Sequence, residues 1–104
     1  MKFIITESKL YSFISDWLSN NFGDLKPVVV DLYPNQILFM LFDRVIFSYD
    51  EETKSVNISY HTIYKHLIKI FHLDDEKSNE IIKNWLRKDY DLDVDTVIPT
   101  RNYI

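Results

Sequence analysis

The spacing of hydrophobic residues changes period twice along this chain, and that restricts its fold more than any single residue does. From Leu10 to Phe22 the apolar positions Leu10, Phe13, Ile14, Trp17, Leu18 and Phe22 recur at helical spacing and form one stripe. From Val28 to Tyr60 the pattern is that of strands, with β-branched and aromatic residues in short runs. From Ile63 onward the helical period returns in Ile63, Tyr64, Leu67, Ile68 and Phe71, and again in Ile81, Ile82, Trp85 and Leu86. This order predicts an α+β fold: a mainly antiparallel sheet, built as a meander, with an N-terminal helix over 6–22 and a C-terminal helix pair packed on it. A chain of 104 residues is too short for two cores, so 1–104 reads as one domain with a short tail at 99–104.

Local signals set the expected boundaries. Phe3-Ile4-Ile5 reads as a short first strand, Thr6 as the helix N-cap, and Ile5 with Leu10 as a hydrophobic staple. Gly23 follows the apolar stripe at the place for a left-handed helix stop, and Pro27 bars continuation. Val28 to Tyr33 reads as a strand, with a turn at Pro34-Asn35. Ile37 to Phe42 has no polar face and reads as a central strand covered on both sides. Asp43-Arg44 is the expected hairpin turn before the strand Val45 to Tyr49. After the polar connection Asp50 to Ser55, Val56, Ile58 and Tyr60 alternate with polar residues as a half-exposed strand. The last helix starts in Asp74-Asp75-Glu76 and closes with Arg87-Lys88, charges that suit the helix dipole. Leu92, Val94 and Val97 read as a final edge strand ended by Pro99.

Composition removes several classes of chemistry. There is no Cys, hence no disulfide, thiolate nucleophile or cysteine-held zinc. With one Gly there is no loop able to bring backbone against a phosphate, as nucleotide-binding motifs require. No apolar run approaches a membrane span, and the start of the chain carries no secretory pattern, so a cytoplasmic location without membrane contact is expected. The net charge of −4 opposes a nucleic-acid partner. Thirteen Ile and no Ala, with many Lys, Asn, Tyr and Phe, reflect A/T-rich codons, which also accounts for the high aromatic content.

The remaining motifs fall short of a site. His61, His66 and His72 lack the four-residue spacing that turns two imidazoles toward one metal ion on a helix. Asp91, Asp93 and Asp95 imitate the opening of a calcium loop. That loop wants Gly at its sixth position and Glu at its twelfth, where Thr96 and Asn102 stand. Alternating carboxylates on the solvent face of an edge strand are the expected arrangement. Asp31, between Val30 and Leu32, is the one acid inside an apolar strand, and nothing resembling a catalytic triad accompanies it. No catalytic residue, metal ligand or cofactor site is therefore predicted.

A non-enzymatic accessory protein acting through protein contacts is the expected function. Its partner is a host or viral protein, or a second copy of the chain. Tyr103 and Ile104, two apolar residues at the end of the tail, are the expected partner-binding residues. The alternative is a nucleic-acid-associated protein. It would use the basic stripe of Lys65, Lys69 and His72 in a helix pair that imitates a helix-turn-helix, although Asp74, Asp75 and Glu76 at the start of the second helix would repel phosphates. The opening Met1-Lys2-Phe3-Ile4-Ile5-Thr6-Glu7-Ser8 is similar to that of many small proteins of tailed phages. The resemblance implies a virion component or a protein that engages a host factor.

Overall fold

The computed structural model describes residues 7–30 and 33–101. The strand at Phe3-Ile4-Ile5, the Thr6 cap, the Ile5–Leu10 staple, Asp31 and the tail residues Tyr103 and Ile104 all lie outside the described residues. Helix α1 spans Glu7–Phe22. Ile14, Leu18 and Phe22, spaced by four, are buried, and Leu10 packs against the same core. The second row of the stripe, Phe13 and Trp17, borders this core instead. Trp17 is half-buried and Phe13 is 63% exposed.

Gly23 ends α1, though not in the expected left-handed conformation. Its N–H donates to the Ser19 carbonyl at 3.0 Å. A Cβ on residue 23 would stand 2.4 Å from that same oxygen. Glycine is required here by close backbone approach, not by handedness. The left-handed positions fall to Phe42, Lys54, His72 and Asp91, with φ of 54° to 56°.

The described residues form a sheet of five strands in the order β1 (Lys26–Val30), β2 (Tyr33–Leu41), β3 (Arg44–Asp50), β4 (Ser55–Ser59) and β5 (Thr96–Thr100). The first four form the expected antiparallel meander, while β5 pairs parallel with β4. Parallel pairing needs a long crossover, and residues 60–95, containing the helices, supply it. Several boundaries differ from the sequence reading: the expected strand Val28 to Tyr33 is β1, Lys26–Val30, with Tyr33 in β2, and the last strand starts at Thr96, leaving Leu92 and Val94 in the connection before it. Pro34-Asn35 lies inside β2, where the β1–β2 register slips between Val29 and Val30, so the irregularity accommodates the proline. The β2–β3 turn is Phe42-Asp43, one residue early, with the positive φ on Phe42. Pro99 sits within β5 opposite Ile58, because an edge strand tolerates a missing N–H on its unpaired side.

Two cross-strand rows build the inner face. One runs Ile37, Tyr49, Val56, Val97, and the other Phe39, Phe47, Ile58, Pro99. Helix α3 (Asp75–Tyr90) covers this face with the side chains expected, Ile81, Ile82, Trp85 and Leu86, all buried. Trp85 and Tyr90 meet Phe47 edge-on at 6.0 and 5.5 Å. The run Ile37–Phe42 is not covered on both sides. Phe39 is buried, Leu38 and Met40 are half-buried, Leu41 is 37% exposed, and Phe42 at the turn is 92% exposed.

Between β4 and α3 the chain makes a π-helical turn, Tyr60–Tyr64, that passes into the short helix α2, Lys65–Lys69. Tyr60 opens this turn and does not extend β4. Ser59 caps the turn by accepting from the Thr62 N–H at 3.3 Å. Asp74 does the same for α3, accepting from the Lys77 N–H at 2.8 Å. Leu73 N–H reaches back to the Leu67 carbonyl and Leu92 N–H to the Leu86 carbonyl, so α2 and α3 both close through a left-handed residue, His72 and Asp91.

Candidate functional site

The described residues among those singled out from the sequence do not assemble into one site. Lys65 is half-buried where the π-helical turn joins α2, Lys69 is exposed at the end of α2, and His72 is exposed in the left-handed connection beyond it. His61 is exposed, whereas His66 packs edge-on against Trp17 at 5.7 Å. Among the described residues no group of three potential metal ligands comes together. The carboxylates 91, 93 and 95 are not on a strand: they occupy the connection between α3 and β5. Asp91 closes α3, and Asp93 pairs with Lys54 at 2.9 Å. The Lys54 ammonium holds the Asp93 carboxyl below its ordinary range. Asp89, in the last turn of α3, accepts from the Trp85 indole N–H at 2.8 Å.

The buried phenols have structural partners too. Tyr64 shares its hydroxyl proton between the Asp75 carbonyl, the Asp75 carboxylate and the Asn79 side chain, at 3.0 to 3.3 Å. Burial, with the nearby Asp75 charge, pushes its pKa to about 12. Tyr90 donates to the Phe22 carbonyl and accepts from the Leu25 N–H at 3.0 Å. Tyr49 donates to the Asp93 carbonyl at 2.8 Å. Each phenol ties one element to another.

What the structure does bring together is an apolar cleft between α1 and the end of α2. Lys9, Leu10, Phe13 and Phe71 line about 410 Å³ of open space. Phe13 and Phe71 meet edge-on at 6.1 Å, and Trp17 supports Phe71 from behind at 5.8 Å. Ile70, next to Phe71 in the chain, is 59% exposed. Scattered exposed apolar residues are ordinary on a protein surface, but grouped aromatic side chains around a concavity mark contact surfaces. Sequence reasoning placed Phe13 and Phe71 in buried stripes and so missed the cleft. One signal was available: from Phe13 to Phe22 the stripe covers about 180° of helix circumference at 100° per residue, more than one packing face needs.

A second apolar concavity, of about 260 Å³, lies at the β1–β2 end of the sheet, lined by Asp24, Lys26, Val28, Met40, Leu41 and Phe42. The strand beside it, β1, is an edge strand, and Pro27 interrupts its backbone donors. Pro99 does the same on the opposite edge, β5. Among the described strands both edges are therefore weakened as templates for an added strand. Among the described residues no helix is long and apolar enough to cross a membrane. Comparison with family models, curated proteins and solved structures finds no match to this chain.

Proposed function

We propose that this protein is a small accessory factor that works by binding another protein, with the cleft of Leu10, Phe13 and Phe71 as its contact surface. The exposure of Phe13, 63% in a side chain whose neighbours Ile14 and Trp17 pack inward, is the observation that supports this reading most directly. A large, rigid apolar side chain at the lip of a concavity is the type of residue that dominates interface energies. The phage-like opening of the sequence adds a setting, in which the partner is a virion protein or a host factor. The tail residues Tyr103 and Ile104 belong to the same proposal as a second anchor.

The test is affinity capture from the native host with the wild-type chain and with Phe13→Ser, each identified by mass spectrometry. A partner held by the wild type and lost in Phe13→Ser, with an unchanged melting temperature, supports the reading. A partner retained by the variant removes the cleft from it.

One observation favours a second reading, nucleic-acid contact through Lys65, Lys69 and His72. No acidic residue occurs from Thr53 to Leu73. Arg101 also lies over the Tyr60 ring at 4.4 Å, beside this stretch. Gel-shift titration at physiological salt decides it: sub-micromolar binding that is lost with Lys65→Ala and Lys69→Ala would put this reading first.

A further inference from the structure

We infer that the solvent face of the π-helical turn and α2, with Arg101 at its head, binds a short stretch of single-stranded nucleic acid. The inference rests on the second reading above, nucleic-acid contact, and is independent of the cleft. The chain carries −4 in total, but that charge is unevenly spread, and the local field decides the encounter with a polyanion. His61, Lys65 and Lys69 follow one another at intervals of four residues. Ile63, Tyr64 and Leu67 of the same segment are buried, so the three basic residues project from its opposite side. Among the described residues none of Lys65, Lys69 and Arg101 pairs with a carboxylate, whereas Lys54 is taken up by Asp93. The acids that flank this surface in the chain stand at its limits. Asp95 precedes β5, at the far end of the strand from Arg101. Asp74 caps α3 and Asp75 meets the Tyr64 hydroxyl.

The head of the surface adds an aromatic element. The exposed Arg101 guanidinium lies over the Tyr60 ring at 4.4 Å, and the His61 ring meets Tyr60 edge-on at 5.4 Å. Unpaired bases stack on aromatic rings and on arginine planes, while a row of cations beside them tracks the phosphates. A duplex is a poorer fit. A recognition helix presents its N-terminus to the groove, and α3 starts with Asp74, Asp75 and Glu76, which repel phosphates. An acidic peptide would use the cations but gains nothing from a planar stack.

The experiment is fluorescence anisotropy on the full chain, from low to physiological salt, with a short labelled oligothymidylate. Competitors are a duplex of the same length, inorganic polyphosphate and polyglutamate. The single strand is expected to bind tightest, with a log–log salt slope of about −2 for contacts from Lys65, Lys69 and Arg101. Lys65→Ala with Lys69→Ala is expected to weaken it at least about tenfold and to flatten the slope to about −0.7. Arg101→Lys keeps the charge and the slope, and is expected to weaken oligothymidylate about fivefold while polyphosphate binds as before. Lys88→Ala, in the last turn of α3, is expected to change none of these.

Several results overturn the inference. Tighter binding of the duplex, lost in the Lys65 and Lys69 double variant, would keep nucleic-acid contact and reject the preference for single strands. Equal loss of oligothymidylate and polyphosphate in Arg101→Lys would remove the stacked base and leave a site for any polyphosphate. Tightest binding of polyglutamate would name an acidic protein as the occupant. Oligothymidylate binding that the double variant leaves unchanged would remove this surface. Absence of binding to single strand and duplex alike at low salt would reject the inference together with the second reading.

Discussion

At the scale of the residue, the chain's single glycine and its left-handed positions fall at different places. Gly23 is held by a carbonyl 2.4 Å from where its Cβ would be, so Gly23→Ala is expected to lose about 1–3 kcal/mol, the usual cost of overpacking. Phe42 presents the opposite case. It is 92% exposed and sits at φ 55°, where a Cβ is strained and the ring packs against little. Phe42→Gly is expected to gain about 1 kcal/mol. Urea melts of the two variants should move in opposite directions, and a shift in the same direction would remove one of the two explanations. Ser78 supplies a third test. It is fully buried in α3, and its hydroxyl has no hydrogen-bond partner among the described residues. Ser78→Ala is expected to stabilise by about 0.5–1 kcal/mol, through better helix propensity and the loss of an unpaired polar group. A destabilised variant would show that the hydroxyl has a partner after all.

At the scale of the element, the tyrosines fasten helices to one another. Tyr90, on the last turn of α3, takes up the Phe22 carbonyl at the end of α1, a group that the helix itself leaves unpaired. Tyr90→Phe is expected to lose about 1 kcal/mol and to loosen the α1 end first, visible as faster amide exchange at Gly23 and Leu25. Tyr64 fastens the π-helical turn to the first turn of α3, and its pKa gives a pH signature. The fold favours the neutral phenol, raising the pKa from 10.0 to about 12. Its stabilising contribution is therefore complete below about pH 10 and is lost as pH rises toward 12. Alkaline unfolding should accompany the last step of tyrosine ionisation at 295 nm, and Tyr64→Phe should make stability less sensitive to pH across that window. Identical alkaline profiles for wild type and variant would rule out Tyr64 as the responsible group. Neither latch could be read from the sequence, because each joins residues whose approach depends on how the elements pack.

At the scale of the whole molecule, the five described strands form a sheet whose two outer members each carry a proline: Pro27 in β1 and Pro99 in β5. Proline on an edge blunts strand-to-strand association between molecules. Replacing both, Pro27→Thr with Pro99→Thr, is expected to leave the fold intact and to introduce concentration-dependent association in size-exclusion chromatography. A monomeric double variant at high concentration would mean that other features, such as the exposed Lys26 on β1, provide the protection. The sequence by itself determined the class and order of elements, because hydrophobic period is a local property. Helix α1, the meander and the buried face of α3 at Ile81, Ile82, Trp85 and Leu86 were all legible in it. Tertiary structure alone decided the rest. Parallel pairing of β5 with β4 depends on where a crossover of about three dozen residues returns, which no local pattern encodes. The exposure of Phe13 depends on how far the neighbouring helix reaches: α2 ends at Lys69, so Phe71 meets the ring only at its edge and the cleft stays open. An apolar side chain reads the same in sequence whether it is covered or not, and only the packing of its neighbours separates core from contact surface.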